Sequence, residues 1–414
     1  MNSMNELRLN DVCEIFSGYA FNTKDMVEEG TPILKIGNIN EDKTLNLNCD
    51  CFYPKNITKK LEKYILLQND FLICMTGATI GKIGKTATKL NQIYLINQRV
   101  GIMRSKENID NNFLYYVLCS NEFRKYVELV GYGAAQANIS ASNIGKFKID
   151  INIDMVNQKK IGKILSNYDE LIETNNQRIK ILENTAQELY KEWFVRFRYP
   201  GYEKDEFENG IPKKFIYRKF SEIYDCVRGV SYSTEEIECD DGENLINLKN
   251  IQSYGGFRRD GLKKYSGKYK SNQLVKYNDL IMGVTDMTQD RRTVGSVALV
   301  PNTKGVISAD LIKLESKINN IFSCCLFKFG FYSKMISQFG NGANVIHLKP
   351  QSIKNQKILL PNDELIDRFV NRVESIFDQI EYLNLTNDNL VKQRDSLLPR
   401  LMSGKLSVEG KEII

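Results

Sequence analysis

The feature that most constrains this chain is that it repeats itself, the second half re-running the first at an offset of roughly 210 residues. Val12-Cys13-Glu14-Ile15-Phe16-Ser17-Gly18 matches Tyr224-Asp225-Cys226-Val227-Arg228-Gly229 in alternation and terminal glycine, and Ile36-Gly37-Asn38-Ile39 matches Leu248-Lys249-Asn250-Ile251. Further on, Gln68-Asn69-Asp70-Phe71-Leu72-Ile73 corresponds to Tyr277-Asn278-Asp279-Leu280-Ile281-Met282. Gly133-Ala134-Ala135, with Ile144 nine residues beyond, corresponds to Gly342-Ala343-Asn344 with Ile353. Repeats this long and this few argue against a solenoid and for two copies of one module. With 414 residues, 42% of them hydrophobic and 26% charged, there is enough apolar material for two packed cores and too much for disorder.

Each module reads as α/β (α+β). The apolar runs Ile33 to Ile39, Asp70 to Met75 and Ile93 to Met103 predict strands, while Phe113, Tyr116, Val117, Phe123, Tyr126 and Val127 predict a helix over 111–130. Each half then closes on a long helical pattern. From Ile161 the apolar positions run Leu165, Tyr168, Ile172, Asn175, Ile179, Leu182, Ala186, Leu189 and Trp193, alternating steps of four and three. Phe369, Val373, Ile376, Ile380, Leu383, Asn387, Leu390, Arg394, Leu397 and Leu401 repeat the spacing, with Pro399 marking a fray or kink.

A buried Asn at a core position is best tolerated opposite another Asn. Antiparallel alignment sets Asn175 against Asn387, Ile161 against Leu401, Leu165 against Leu397, Trp193 against Phe369 and Tyr168 against Arg394. A parallel, end-matched register leaves each amide beside an apolar partner, at about 1 to 3 kcal/mol each. The predicted architecture is therefore two similar modules separated by an antiparallel two-helix coiled-coil spacer with a pseudo-two-fold axis. At 1.5 Å per residue, a helix from Lys159 to Phe194 is roughly 54 Å long, a ruler between the modules. The expected boundaries are 1–156 for the first module, 157–200 for the first spacer helix, 201–360 for the second module and 361–408 for the second helix.

Much chemistry is excluded by composition. The single histidine, His347, rules out sites that need imidazole in pairs, and nine cysteines without a C-x-x-C pair read as reduced, mostly buried thiols, so no metal site is expected. The first eleven residues lack an apolar h-region and no run of eighteen apolar residues occurs, so a cytoplasmic protein with no membrane partner is expected. Fifty-seven Lys and Arg against 51 Asp and Glu leave a formal charge of +6, which permits a polyanionic partner without demanding one. The excess is local: 24 basic against 18 acidic residues over 201–360, but 18 against 17 over 1–156.

Two similar modules on a spacer suit two separated sites on one long ligand, and double-stranded DNA is the ligand whose half-sites commonly mirror protein symmetry. In the second module, the run from Tyr254 to Lys270 interleaves six cations with four aromatics, making Arg258, Arg259, Lys263, Lys264, Tyr265 and Lys268 candidates. Arg291 and Arg292, just past Thr288, offer guanidinium forks suited to guanine O6 and N7. In the first module the candidate is Thr76-Gly77-Ala78-Thr79-Ile80-Gly81-Lys82-Ile83-Gly84-Lys85-Thr86, with Thr76, Gly77, Thr79, Lys82 and Lys85 facing the backbone. It is not a Walker loop, because Thr79 stands where the required glycine would be, and it reads as a glycine-bearing hairpin. Gln136 and Asn138, with Asn344 and His347 at the equivalent place, carry groups able to read base edges.

The chain resembles a specificity subunit of a type I restriction-modification system. The resemblance spans nearly all of it and rests on four blocks, Asp70 to Gly84, Ala135 to Ser140, Gln158 to Leu165 leading into Ala186 to Phe197, and Ser396 to Leu406. It implies two target-recognition domains, each reading one half of a bipartite site, and two helices that dock two methyltransferase subunits and, through them, restriction subunits. It implies no catalysis and no cofactor in this chain, with S-adenosylmethionine on the methyltransferase partner. The sequence agrees in lacking an N-P-P-[FY] motif, a glycine-rich S-adenosylmethionine loop and a helicase or nuclease signature. The second module departs from the family-like block, carrying Asp286-Met287-Thr288-Gln289-Asp290-Arg291-Arg292-Thr293-Val294-Gly295 where the first has Gly77-Ala78-Thr79-Ile80-Gly81, so an asymmetric site is expected. The competing readings are a standalone DNA methyltransferase or nuclease, and a coiled-coil scaffold without a nucleic-acid role.

Overall fold

The computed structural model describes residues 5–40, 43–86, 90–131, 137–151, 154–237, 240–402, 405–406 and 408. The chain forms two compact units, one of Met1–Glu173 with Asn387–Ile414, the other of Thr174–Thr386. No helix among the described residues is long and apolar enough to cross a membrane.

Both units are built from the same two sheets. In the first, a four-stranded antiparallel sheet runs Cys13–Ser17, Val100–Ser105, Phe71–Cys74, Ile83–Lys85, and a smaller sheet runs Phe52–Tyr53, Thr31–Leu34, Leu95–Ile96. In the second, the corresponding orders are Tyr224–Arg228, Leu311–Ser316, Leu280–Gly283, Val297–Leu299, and Lys263–Tyr265, Glu243–Ile246, Gly305–Ile307, Leu274–Val275. The one parallel pairing of each smaller sheet is also repeated, Ile33 opposite Leu95 and Leu245 opposite Val306. A central strand buried on both faces must be apolar throughout. Phe71 and Ile73 accordingly enter the helix-side core while Leu72 and Cys74 face the smaller sheet, and Leu280 and Met282 divide from Ile281 in the same way. Burial pushes the Cys324 thiol up to about 11 and Cys13 up to about 12, so both are packed thiols and not nucleophiles.

Polar turn chemistry explains why several sequence runs are shorter than periodicity suggests. The expected strand over 33–39 stops at Leu34, because the Asn38 carboxamide accepts the Lys35 N–H at 2.9 Å and bends Ile36–Asn38 into a 3-10 turn. Asn250 does the same to Asn247 at 3.0 Å, so that repeated motif is a turn. The expected helix over 111–130 is two, Asn111–Leu118 and Asn121–Gly131, since Ser120 Oγ accepts the Phe123 N–H and starts the second. Two strands, Leu95–Ile96 and Val100–Ser105, replace the single run over 93–103.

The long helices are Met155–Tyr190, continued by a π-turn over Lys191–Val195, and Asp363–Met402, which runs through Pro399. In the first unit Ile161 and Leu165 share a core with Leu398 and Leu401, so the start of one helix packs on the end of the other. In the second unit Trp193 and Phe369 meet with ring centroids 5.7 Å apart, the converse pairing that an antiparallel seam requires. Asn175 and Asn387 are both buried. Arg394 reaches Asp169 instead of Tyr168, its Nη1 lying 2.5 Å from Asp169 Oδ1 while Tyr116 OH donates to Asp169 Oδ2 at 2.6 Å.

Candidate nucleic-acid interface

In the first unit the central strand hands over at Met75 to the turn that carries Thr76, Gly77 and Thr79. The strands Phe71–Cys74 and Ile83–Lys85 that flank it pair antiparallel, the expected hairpin. Gly77 and Gly81 take φ of 79° and 82°, and a Cβ at Gly81 would stand 2.9 Å from Val127 Cγ1, so the turn lies against the helix Asn121–Gly131. Thr76 forms an antiparallel bridge with Asn138, flanked by Gly77 N–H donating to Ala137 O and Ile139 N–H donating to Met75 O, each at 2.9 Å. Thr76, Gly77, exposed Thr79 and exposed Asn138 thus share one edge. Lys82 is half-buried, and a cleft of about 480 Å³ opens beside the turn, bounded by Lys43, Ala78, Thr79, Arg124 and Pro399. Lys85 corrects the sequence reading: its ammonium turns inward, donating to Asn112 Oδ1 at 3.2 Å and lying 4.7 Å from the Tyr115 ring centre, and burial lowers its pKa. Gln136 lies outside the described residues.

The second unit repeats this edge. Thr285 pairs with His347 and Asp286 with Ile346, so Thr285 and His347 stand where Thr76 and Asn138 stand in the first unit. The hairpin connection that follows Thr76 and Thr285 differs in length. Leu72 lies opposite Gly84 in one sheet and Ile281 opposite Ala298 in the other, an offset that grows from 209 to 214, so five residues are inserted.

Asp286 organises that longer loop. Its Oδ1 accepts the Thr288 N–H and hydroxyl, both at 2.8 Å, and its Oδ2 accepts the Thr293 N–H at 2.8 Å with the Thr293 hydroxyl also 2.8 Å away. Burial opposes ionisation, yet these donors hold the carboxyl below its ordinary range. Within the loop, Gln289 donates to Ala343 O, and Arg291 donates to Ser337 O at 3.2 Å and Gln338 O at 3.3 Å, so the loop is tied to the segment that carries Asn344 and His347. The Arg291 fork is engaged with backbone at a left-handed φ of 53°. Arg292 pairs with Asp290 and stays exposed, as do Thr288, Asn344 and His347.

The basic run 254–270 is divided by the fold. Lys263, Lys264 and Lys268 are exposed on and beside an edge strand, and Arg258 is exposed with Asp260 at 3.8 Å. Tyr265 is a second correction: it is 2% exposed, packed with Val230, Leu245 and Val306, its hydroxyl donating to Lys268 O at 3.1 Å. Arg259 is a third, since it lies half-buried 2.5 Å from Glu381 of the second long helix, whose carboxylate also accepts the Asn302 N–H at 2.8 Å. The structure adds Tyr254, 69% exposed, whose N–H donates to Arg292 O at 2.9 Å. An exposed aromatic ring has a face on which a base can stack, and its signal in the sequence is the Gly255-Gly256 pair that follows.

Residues 1–184 match the family described as the type I restriction modification DNA specificity domain. The chain is 25% identical over 371 residues to the type I restriction enzyme MjaIX specificity subunit of Methanocaldococcus jannaschii, covering 86% of this chain and 82% of that one. It is 22% identical to the type I restriction enzyme HindI specificity subunit of Haemophilus influenzae, covering 76% and 81%. Among solved structures it is similar to the S subunit of a type I restriction-modification system from M. genitalium, with a TM-score of 0.55 at 14% identity over 97% of each chain, a likeness of fold.

Proposed function

We propose that the chain is a specificity subunit of a type I restriction-modification system, the family that its residues 1–184 match, and that it reads a bipartite, asymmetric DNA site, one half with each unit. The observation that carries this reading is the bridged edge found in both units, Thr76 with Asn138 and Thr285 with His347, with a five-residue insertion in the second alone. One scaffold presenting two different loops suits two different half-sites. Phosphate contacts by exposed lysines such as Lys263, Lys264 and Lys268 supply register and affinity, and exposed side chains of the two edges supply base readout. The long helices dock two methyltransferase subunits, which hold S-adenosylmethionine and carry the chemistry, and restriction subunits join through them. In this reading residues 1–156 and 201–360 are the recognition domains and 157–200 and 361–408 the spacer.

Methylation mapping of DNA from cells that express the chain with a methyltransferase subunit tests the proposal. A split motif with unlike halves that appears only when the chain is present is the expected result. Unchanged methylation, together with DNA binding that ignores salt, refutes it, because phosphate neutralisation makes affinity fall steeply with salt.

A second expectation concerns helix length. Inserting one heptad into each long helix at matched positions adds about 10 Å, so the preferred gap should lengthen by about three base pairs at 3.4 Å each. An unchanged gap in the mapped motif would show that the helices do not set it.

A further inference from the structure

We infer that the segment 54–64 of the first unit is a phosphate-binding ridge, with Lys55, Lys59, Lys60 and Lys63 as its cations, occupying the place that Lys268 and Lys270 occupy in the second unit. The inference rests on the DNA-reading function proposed above and gives the first unit, nearly neutral overall, a basic surface of its own.

The equivalence is geometric. Thr31 lies opposite Tyr53 in one smaller sheet and Glu243 opposite Tyr265 in the other, so Phe52–Tyr53 and Lys263–Tyr265 are the same edge strand. A Cβ at Gly30 would meet Tyr53 O at 2.2 Å and one at Gly242 would meet Tyr265 O at 2.3 Å, so the two strands are approached in the same way by the same turn. After each edge strand the chain makes a 3-10 helix, Lys59–Tyr64 or Ser271–Gln273. It then returns to the sheet at the Ile65–Leu95 bridge or at the strand Leu274–Val275. The segments between, 54–64 and 266–273, are therefore counterparts.

The side chains suit an anion. Lys55, Lys59, Lys60 and Lys63 are all exposed, and none has a carboxylate partner among the described residues. Leu61 anchors the 3-10 helix in the core at 2% exposure, which turns its neighbours outward. Lys60 Nζ lies 5.5 Å from the centre of the Tyr19 ring and Lys63 Nζ 4.5 Å from that of Phe16, so two of the ammonium groups ride on fixed aromatic faces. A single carboxylate, Glu62, interrupts the segment. Four exposed cations without a carboxylate partner, within nine residues of one turn, suit the phosphates of a duplex backbone and carry no base-reading geometry.

The test compares two triple variants of the full chain that lose the same charge, Lys59→Gln/Lys60→Gln/Lys63→Gln on the ridge and Lys24→Gln/Lys106→Gln/Lys125→Gln elsewhere in the unit. Affinity for a mixed-sequence duplex of about 40 base pairs is measured by fluorescence anisotropy across a series of salt concentrations. The ridge variant should flatten the dependence of log K on log salt by about two to three, at roughly 0.9 per lost phosphate contact, and the control by less than one. In methylation mapping the ridge variant should keep the recognised motif and lower its occupancy. Equal slopes for the two variants, with the unaltered chain still salt-dependent, overturn the ridge alone. A salt-independent unaltered chain overturns the ridge and the DNA-reading function together.

Discussion

Replacing Asp286 by alanine is expected to release the inserted loop of the second unit and to relax recognition of one half-site only. The Thr288 and Thr293 N–H groups that Asp286 accepts would lose their acceptor in a site where Asp286 is 4% exposed. Orphaning donors of a charged hydrogen-bonded group costs about 2 to 3 kcal/mol, concentrated here on a loop that the rest of the unit does not need in order to fold. Trypsin should then cut at Arg291 or Arg292 in the variant and leave the unaltered loop whole. The mapped motif should lose discrimination in one half and retain it in the other. Unchanged proteolysis would mean that Asp286 does not hold the loop. The pH dependence carries a sign. A carboxyl held below its ordinary value contributes stability that is fully present above the unfolded value of about 3.9 and is lost as pH falls through the lower folded value. Loop protection should therefore be flat from neutral pH to about pH 4 and decline only below it, and Asp286→Asn should remove that acid limb.

Phe369→Ala is expected to have the larger effect on stability. Phe369 is fully buried where the second long helix begins, with Phe194, Trp193, Tyr190 and Phe322 rings centred 4.9, 5.7, 6.1 and 6.2 Å away. Emptying a site ringed by rigid aromatics leaves a cavity that the neighbours cannot collapse into, at a cost of about 3 to 5 kcal/mol. Trp193 is the only tryptophan in the chain and touches the mutated ring, so its fluorescence during urea unfolding reports this unit. The midpoint should fall sharply, with Phe369→Leu falling less. A loss below about 1 kcal/mol would show that the helix end is held by something else.

How much of this was legible in the sequence depends on the interaction. The repeat offset and the four-three seam are visible because burial imposes a period on residue type, and both survive in the paired sheets, in the Trp193–Phe369 contact and in the core that Ile161 and Leu165 share with Leu398 and Leu401. Long polar side chains do not obey that period. Arg394 finds Asp169 and not Tyr168 because a guanidinium reaches past its own seam position, and Lys85 turns inward because Asn112 and Tyr115 offer it an acceptor and a ring. Tyr265 looked like part of a charged loop, whereas it ends an edge strand whose two lysines, Lys263 and Lys264, face water. Nothing in the sequence separates Lys59, Lys60 and Lys63 from an ordinary solvated charge run. Only the shared edge strand shows that the turn has a counterpart in the other unit.

The first unit draws Leu398, Leu401 and Val408 into the same core as Phe71, Phe113 and Ile161. On a ribosome, domains generally fold as units from the N-terminus onward, but this one lacks part of its interior until more than two hundred further residues have been made. The second unit, contiguous from Thr174 to Thr386, is free to fold first. Synthesis therefore inverts the usual order, and nascent chains halted before residue 387 would present Ile161 and Leu165 to chaperones as an uncovered apolar strip.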